Sequence, residues 1–332
     1  MSSNTNGLTD VPGILVGQEQ DLQGFTGVTV VLPPKGSIGG VDQRGGAPGT
    51  RETDALRPMH LVDQINAVVL AGGSAFGLDA SSGVMKYLSE KNVGVNTGVK
   101  RVPIVSSAVI FDLAFGNADV FPDADMGYKA CLSATDNLIL QGNEGAGTGA
   151  TIGKLFGMKQ AMKSGIGTAS ISLSSNLVVA ALVVVNAFGD VVNPDGTVVA
   201  GTRSFTLAGK HMGEGEQFAN TLTSMNSFLG KNILNFAMHQ NTIIGVVATN
   251  AKLSREDVNK VAQMAHNGIA RSISPAHTML DGDTIFSLAT QQKKADVNLV
   301  GAYAAQMVQE SILNAVLAAE PLDGLPTVNS LS

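Results

Sequence analysis

Short apolar runs alternate with segments of helical periodicity along much of the chain. The runs around Val28 and Val68 are bounded by glycine turns, and the second leads into residues 78–91, whose apolar positions share one helical face. Residues 176–186 are apolar without alternation, which predicts a strand that is covered on both faces. Residues 190–201 hold a Pro-Asp-Gly turn between valine-rich pairs, which predicts a β-hairpin.

The pattern is clearest in residues 242–332, where β-branched runs at the start and again from Asp283 predict two strands. Between them, Ser254 and Asp257 form a capping box, which predicts a helix. A second, long helix is predicted from about residue 296 to 320. The positions of this helix that are spaced for burial are Leu299, Tyr303, Met307, Ile312 and Val316. Strands and helices therefore alternate, which predicts an α/β fold with helices outside and sheet inside.

Composition narrows the class of protein. The chain has 332 residues, of which 44% are hydrophobic and 14% are charged, so it can bury a large core. Its 39 glycines follow no collagen-like period, which favours a packed protein with many turns. No repeat or linker divides it, so a single domain over residues 1–332 is predicted. The net charge of −6 and the lack of a basic block argue against nucleic-acid and anionic-membrane partners.

The cysteine content and the N-terminus bear on the cellular compartment. Cys131 is the only cysteine, so no internal disulfide is possible, and its helical surroundings predict a small buried residue. The N-terminal residues lack the positive and apolar stretches of a secretion signal. The most apolar run, residues 177–185, is too short to span a bilayer. A cytoplasmic location is therefore expected.

The glycine-rich segment 145–150 has the G-x-G-x-x-A spacing of a dinucleotide-binding loop. No strand ends cleanly before it, and no acidic residue follows before Asp190 to bind a ribose. The phosphate-loop pattern also fails, because Lys154 is followed by leucine. The segment is therefore interpreted as a turn in which backbones approach closely. Because the five histidines lack metal-ligand spacing, neither a metal nor a cofactor is predicted.

Asn241-Thr242 lies where a polar segment, residues 212–240, meets an apolar strand. A hydroxyl at such a junction can attack the preceding carbonyl, and hydrolysis of the resulting ester frees the α-amine of Thr242. That amine has an ordinary pKa of roughly 8 and can act as the base for its own hydroxyl. Many strands begin with threonine, however, and Asp281-Gly282-Asp283 before the next strand is by itself typical of a turn.

Together, seven segments resemble one family of self-processing aminopeptidases and amidases. This family includes the L-aminopeptidase/D-amidase-esterases, the β-peptidyl aminopeptidases and the endo-type 6-aminohexanoate-oligomer (nylon-oligomer) hydrolases, and the last group looks most similar. The matching segments are VDQRGGAPGTRETD at Val41, LAGGSAFGLDASSGVM at Leu70, VSSAVIFD at Val105, GAGTGATIGK at Gly145, VVVNAFG at Val183, NTIIGVVATNA at Asn241 and HTMLDGDTIF at His277.

The resemblance implies a four-layer αββα sandwich that is similar to N-terminal-nucleophile hydrolases but has different connectivity. It also implies self-cleavage between Asn241 and Thr242 into residues 1–241 and 242–332. The expected assembly is a homotetramer of cleaved units, which suits the low charge and the many small residues. No cofactor or metal is implied.

The resemblance also implies the roles of five residues. Thr242 matches the nucleophile, and Lys154, Asn186, Asp281 and Asp283 match other active-site residues of the nylon-hydrolase branch. The Asn186 amide would stabilise an oxyanion, and the two aspartates would hold the amine and hydroxyl of Thr242. These carboxylates would raise the pKa of the amine, and Lys154 would oppose that shift.

Two substrate-binding positions depart from the family pattern. Where the aminopeptidase branch has a glutamate that anchors the free amine of the substrate, this chain has Val109. Two positions later, Phe111 replaces a tyrosine that the nylon-hydrolase branch keeps. The missing carboxylate favours internal cleavage or a substrate with an uncharged end. The expected substrates are 6-aminohexanoate oligomers or related small linear amides or peptides.

Three alternatives to this hydrolase stay open. One is a β- or D-amino-acid aminopeptidase, and another is an acyltransferase of the ornithine acetyltransferase type, which differs only in the group that accepts the acyl chain. The third is a non-enzymatic assembly or binding protein in which Thr242 merely begins a strand.

Overall fold

The computed structural model describes residues 7–227, 230 and 241–331. The helices are α1 (Ala80–Glu90), α2 (Ala124–Leu132), α3 (Thr221–Met225), α4 (Arg255–Ser272), α5 (Val297–Leu317) and α6 (Val328–Leu331). The strands are β1 (Leu15–Asp21), β2 (Thr26–Leu32), β3 (Ile38–Gln43), β4 (Thr50–Arg51), β5 (Ala67–Ala71), β6 (Val95–Asn96), β7 (Arg101–Val102), β8 (Val105–Val109), β9 (Thr151–Ile152), β10 (Met162–Lys163), β11 (Ile166–Leu173), β12 (Leu177–Asn186), β13 (Asp190–Val192), β14 (Val198–Ala200), β15 (Phe205–Leu207), β16 (Lys210–Met212), β17 (Thr242–Lys252), β18 (Ile273–Ser274) and β19 (Thr284–Lys294).

Ten of these strands form two five-stranded sheets. The first sheet has the order β1-β2-β5-β8-β4, and the second has the order β11-β12-β17-β19-β3. Within each sheet one pair is parallel, β5 with β8 in the first and β17 with β19 in the second, and the other pairs are antiparallel. Because parallel strands begin at the same edge of a sheet, the first residues of β17 and β19 lie close together.

The two sheets stack face to face between two layers of helices. Val31 and Leu70 of the first sheet share one buried cluster with Leu182 and Phe286 of the second. A second cluster joins the other face of the second sheet to α4 and α5, and a third joins the first sheet to α1 and α2. The order of the layers is therefore helix, sheet, sheet, helix, which confirms the predicted αββα sandwich.

Individual elements agree with the sequence pattern except at one helix face. Every residue of β12 is buried, as expected of a strand with both faces covered. The capping box at Ser254 is formed, and β13 pairs with β14 as the predicted hairpin. The prediction that Leu299 is buried is wrong, because its side chain lies in the first turn of α5 and is 43% exposed. Its neighbour Val300 packs into the core instead.

The glycine-rich segment is a tight turn, as predicted. Residues Gly145–Gly147 form a single 3₁₀ turn. A Cβ atom on Gly147 would lie 2.4 Å from the backbone nitrogen of Ile166, so a side chain there would collide with backbone. Glycine is therefore needed because two backbone segments touch at this point.

Two further sequence predictions concern single features. Cys131 is buried in α2, and this burial raises the pKa of its thiol to about 12, which leaves it unreactive. The predicted polar segment 212–240 lies partly outside the described residues, which lack 228–229 and 231–240. Within the described part of the chain, no helix is long and apolar enough to cross a membrane.

Candidate active site

Thr242 is the first residue of β17 and lies opposite Asn186, the last residue of β12. Both residues are buried. The Thr242 hydroxyl donates a hydrogen bond to the carbonyl oxygen of Asn241, and the backbone N–H of Gly282 donates to the same oxygen at 3.0 Å. The carbonyl oxygen of the Asn241–Thr242 peptide bond therefore accepts two hydrogen bonds, one from the Thr242 hydroxyl and one from the Gly282 N–H.

The Asp281-Gly282-Asp283 turn precedes β19 and lies directly beside the start of β17. Asn241 forms a parallel bridge with Asp281, and the Asp283 carboxylate accepts the backbone N–H of Ile243 at 2.8 Å. A Cβ atom on Gly282 would lie 2.8 Å from the Thr242 hydroxyl oxygen, so glycine allows the turn to approach Thr242 this closely. The structure thus brings the predicted turn and the predicted cleavage point together.

Lys154 reaches the same strand edge through Asn186. Its Nζ donates to Oδ1 of Asn186 at 2.7 Å and to the Asn186 backbone carbonyl at 3.3 Å. The side chain keeps some solvent exposure, but the surrounding protein removes most of its hydration, which lowers the pKa of Lys154 to about 7. The charges of Asp281 and Asp112 oppose this shift. Lys154 can therefore lose its proton near neutral pH, unlike an ordinary exposed lysine.

Asp281 shows the opposite shift. Burial first, and then the nearby charge of Asp283, raise the pKa of Asp281 to about 6. Hydrogen bonds from the backbone N–H and the hydroxyl of Thr278, at 2.9 and 2.6 Å, stabilise the charged carboxylate and limit that shift. Lys154 and Asp281 therefore both titrate near neutral pH, a pattern that is frequent at catalytic sites.

The Asn186 side chain has its oxygen and nitrogen in different environments. Its Oδ1 accepts from Lys154 and also from the backbone N–H of Thr151 at 3.1 Å. Its Nδ2 donates one N–H to the backbone carbonyl of Phe111 at 3.0 Å. The amide is thereby fixed in one orientation, with its oxygen towards Lys154 and Thr151 and its nitrogen towards Phe111.

The two predicted substrate-binding positions follow at the end of β8. Val109 is buried, and its backbone N–H donates to the carbonyl of Gly49 at 3.0 Å. Its side chain is apolar, so no carboxylate is present at this position. Phe111 is partly exposed and lines a small cavity together with Lys154 and Met158. The position of the family tyrosine therefore borders the site but offers only an aromatic ring and a backbone carbonyl.

Two residues at the site were not singled out from the sequence. His277 donates through Nδ1 to the Asp283 carboxylate at 2.7 Å. Asp112 lies beside Phe111 and accepts from the Thr26 hydroxyl at 2.7 Å, and burial raises the pKa of Asp112 to about 6. The one signal for His277 was its position within the HTMLDGDTIF segment. Among the residues described, no group of three or more His, Cys, Asp or Glu side chains could hold a metal ion.

Comparison with known sequences identifies a family. The family model described as "Peptidase family S58" matches residues 6–328. An uncharacterized aminopeptidase of Mycobacterium tuberculosis is 43% identical to this chain over 356 residues, covering 98% of each protein. A 6-aminohexanoate-oligomer endohydrolase of Paenarthrobacter ureafaciens is 31% identical over 322 residues, covering 92% of this chain and 84% of that enzyme.

Solved structures agree on the fold. A Burkholderia β-aminopeptidase superimposes with a TM-score of 0.72 at 20% identity, covering 100% of this chain and 93% of the other. The L-aminopeptidase D-Ala-esterase/amidase of Ochrobactrum anthropi, described as a variant of the Ntn hydrolase fold, gives a TM-score of 0.69 at 20% identity and covers 97% and 88%. At this level of identity the likeness shows the fold, which is the N-terminal-nucleophile type of αββα sandwich.

Proposed function

The chain belongs to peptidase family S58, and on this basis we propose that it is a self-processed amidohydrolase with Thr242 as its nucleophile. Membership of the family makes the chain a hydrolase of the peptidase and amidase type. The self-cleavage, the nucleophile and the substrate are the parts that we propose, and the geometry around Asn241 supports them.

One observation carries the proposal. The hydroxyl of Thr242 lies beside the carbonyl of Asn241, and the Gly282 N–H donates a hydrogen bond to the oxygen of that carbonyl. Attack of the hydroxyl oxygen on the Asn241 carbonyl carbon forms a C–O bond. The negative charge that develops on the carbonyl oxygen would be stabilised by the Gly282 N–H. The C–N bond to Thr242 then breaks, its nitrogen takes a proton, and water hydrolyses the ester to free the Asn241 carboxylate.

The first step needs a base other than the Thr242 amine, because that nitrogen is still part of the peptide bond. Lys154 and Asp281 are the groups near the strand edge that titrate around neutral pH. Because its pKa is lowered to about 7, Lys154 can be neutral near physiological pH and accept the hydroxyl proton either directly or through water. We propose Lys154 as this base.

After cleavage the free amine of Thr242 replaces Lys154 as the base for substrate hydrolysis. Its ordinary pKa of roughly 8 is low enough for it to accept a proton from its own hydroxyl. The hydroxyl oxygen attacks the substrate carbonyl, the amine half of the substrate leaves with a proton, and water hydrolyses the acyl-enzyme ester. Asp283 already holds the backbone next to Thr242 and would orient the amine, while Asn186 would bind the oxyanion.

For the substrate we propose internal amide bonds of linear amides such as 6-aminohexanoate oligomers. The 31% identity to an endohydrolase of such oligomers supports this class. The absence of a carboxylate at Val109 also supports it, because an aminopeptidase needs a group that binds the free amine of its substrate.

An aminopeptidase is the second candidate. The specific observation in its favour is the 43% identity over 98% of the chain to a relative named as an aminopeptidase. An aminopeptidase would have to bind the substrate amine with a side chain at a position other than 109. The two candidates share the nucleophile and the acyl-enzyme and differ only in where the substrate chain is held.

Intact-mass spectrometry of the purified protein tests the shared mechanism. We expect two fragments, residues 1–241 and 242–332, and we expect Thr242→Ala to stay full length and inactive. Thr242→Ser, which keeps a hydroxyl, is the matched control and should still cleave. A wild-type protein that is active as one uncut chain would refute the proposal.

A further inference from the structure

His277 lies in the loop between β18 and β19 with a positive φ of 57°. This conformation directs both its backbone N–H and its ring Nδ1 to one oxygen of Asp283, at 3.2 and 2.7 Å. The Asp283 side chain is only 1% exposed. His277 therefore supplies two hydrogen bonds to a buried carboxylate at the start of β19.

The other oxygen of Asp283 accepts the backbone N–H of Ile243 at 2.8 Å. Among the described residues, Asp283 is thus held between the residue that follows Thr242 on one side and His277 on the other. If the side-chain bond from His277 were lost, Oδ2 of Asp283 would keep only the longer bond from the residue 277 backbone N–H, and the carboxylate could turn about its bond to the Ile243 N–H. The orientation of Asp283 towards the cleavage point therefore depends on His277.

The ring of His277 is fixed as the Nδ1–H form by its surroundings. A carboxylate can only accept, so Nδ1 must carry the proton. On the far side of the ring, Nε2 is buried and has no hydrogen-bond partner among the described residues, so a proton there would have no acceptor. The neutral ring with its proton on Nδ1 fits this environment.

A second histidine packs against this ring. The ring centroids of His266 and His277 are 4.9 Å apart and the planes are inclined by 69°. His266 Nε2 lies 3.0 Å from the backbone carbonyl of Asp42, which can only accept, so Nε2 carries the His266 proton. Burial lowers the pKa of His266 to about 4, so the His266 ring that packs against His277 is neutral.

We infer that His277 is a positioning residue for Asp283, and that it sets the activity of Thr242 through this carboxylate. The inference rests on the proposed role of Thr242. His277 has no direct part in proton transfer to or from the substrate, because its one donor is already bound to Asp283. Its contribution is the direction of the Asp283 carboxylate, which holds the backbone N–H of Ile243 next to the cleavage point.

The test compares His277→Asn with His277→Asp. Asparagine and aspartate are nearly equal in size, and both tolerate a positive φ better than most residues. Asparagine can donate an N–H to Asp283 as Nδ1 does, whereas aspartate offers only oxygen and repels the carboxylate. The rate of self-cleavage is followed in chains made by cell-free translation, so no substrate has to be known.

We expect the Asn variant to cleave within about threefold of the wild-type rate and the Asp variant to be slower by on the order of 100-fold. Equal rates for the two variants, whether fast or slow, would overturn the inference. If the Asp variant fails to fold by its circular dichroism, His277→Gly replaces it, since glycine also accepts the backbone conformation but donates nothing from its side chain.

The same experiment separates this inference from the proposed function. Thr242→Ala is translated in parallel, and its cleavage between residues 241 and 242 would refute the role of Thr242 itself. Cleavage that requires Thr242 but is equal in the Asn and Asp variants would refute only the role of His277. Rescue by asparagine is the result that a purely structural histidine would not give.

Discussion

Two regions of the molecule each contain a lysine whose pKa is lowered to about 7 by loss of hydration. The cleavage region comprises Thr242, Asn186 and Lys154. The turn region comprises residues 145–150 and Lys163. The shifts are alike, but the surroundings of the two lysines differ, and this difference indicates which of them can take part in chemistry.

In the turn region, Lys163 is surrounded by backbone. Its Nζ donates to the carbonyls of Gly147 at 3.0 Å, Ala150 at 3.2 Å and Ser164. All three bonds can form at once only with the ammonium, and the charge of Asp112 opposes the effect of burial on the pKa of Lys163. Because each hydrogen of the ammonium is engaged and the side chain is 1% exposed, Lys163 fastens the glycine-rich turn to β10.

In the cleavage region, Lys154 instead contacts the side chain of Asn186, at the end of the strand that pairs with β17. Asn186 lies opposite Thr242 in the pairing of β12 with β17, and Asp281 is near enough for its charge to raise the pKa of Lys154. A lowered pKa therefore does not by itself mark a catalytic group. The two lysines differ in that Lys163 donates to backbone carbonyls of three residues, whereas Lys154 donates to the side chain and the backbone of Asn186 opposite Thr242.

The largest effect is expected for Lys154→Met. Removing the proposed base should slow self-cleavage by on the order of 100- to 1,000-fold, while the similar length of methionine preserves the packing. Cell-free translation followed by gel electrophoresis measures the rate, and Lys163→Met is the matched control because it removes the other lysine of lowered pKa. Equal slowing in both variants would show that the two regions do not differ in this way.

The next largest effect is expected for Lys163→Met, on stability. The carbonyls of Gly147, Ala150 and Ser164 would lose their lysine donor, which should cost about 3 kcal/mol. In a chain of this size that corresponds to a fall in Tm of about 4 °C, measured by scanning calorimetry. At temperatures well below that transition, self-cleavage should stay within about threefold of wild type. A large loss of cleavage in a folded variant would contradict a purely structural role for Lys163.

The contrast between the two lysines also shows how far the sequence could predict this molecule. The layers, the capping box at Ser254 and the buried strand β12 were predicted because periodicity and capping are local properties. Thr242 and the two aspartates were predicted because they lie within motifs that resemble a family. Lys163 carried no such signal, since the bonds that define its role go to backbone carbonyls, which every residue has.

The contacts that complete the site depend on folding rather than on pattern. Asp112 and Thr26 meet across the first sheet, although they are far apart in sequence. His277 reaches Asp283 through a loop with positive φ, which hydrophobic periodicity does not reveal. Leu299 shows the same limit in a helix, because spacing predicts a buried face but not where that face begins.

A third prediction concerns the pH dependence of self-cleavage. If Lys154 is the base, its neutral form is the active one, and this form increases as pH rises through about 7. The rate should therefore rise about tenfold per unit below pH 7 and level off near pH 8. If Asp281 is the base instead, the midpoint should lie near 6, because the carboxylate must be deprotonated and its pKa is about 6.

Variants assign that titration to a residue. Lys154→Met should abolish the rise in rate centred near pH 7. Lys163→Met should keep it, because the Lys163 ammonium donates to the backbone carbonyls of Gly147, Ala150 and Ser164. A rise near pH 7 that is lost in Lys163→Met and kept in Lys154→Met would reverse the roles that we assign to the two regions.

The smallest effect is expected when the N-terminus of the substrate is blocked. Val109, at the predicted substrate-binding position, offers no carboxylate to a free amine. N-acetylated and free 6-aminohexanoate oligomers should therefore be cleaved with kcat/KM values within about threefold of each other. An enzyme that bound the amine in a buried ion pair would lose well over tenfold on acetylation, since such a pair is typically worth about 2–5 kcal/mol. Chromatography of early products completes the measurement, because internal cleavage releases fragments longer than the monomer.

Release of monomers alone, with acetylated oligomers left intact, would replace the endohydrolase with the aminopeptidase. It would also mean that a carboxylate other than one at position 109 binds the amine, and the buried Asp112 beside Phe111 would then be the first residue to change to asparagine.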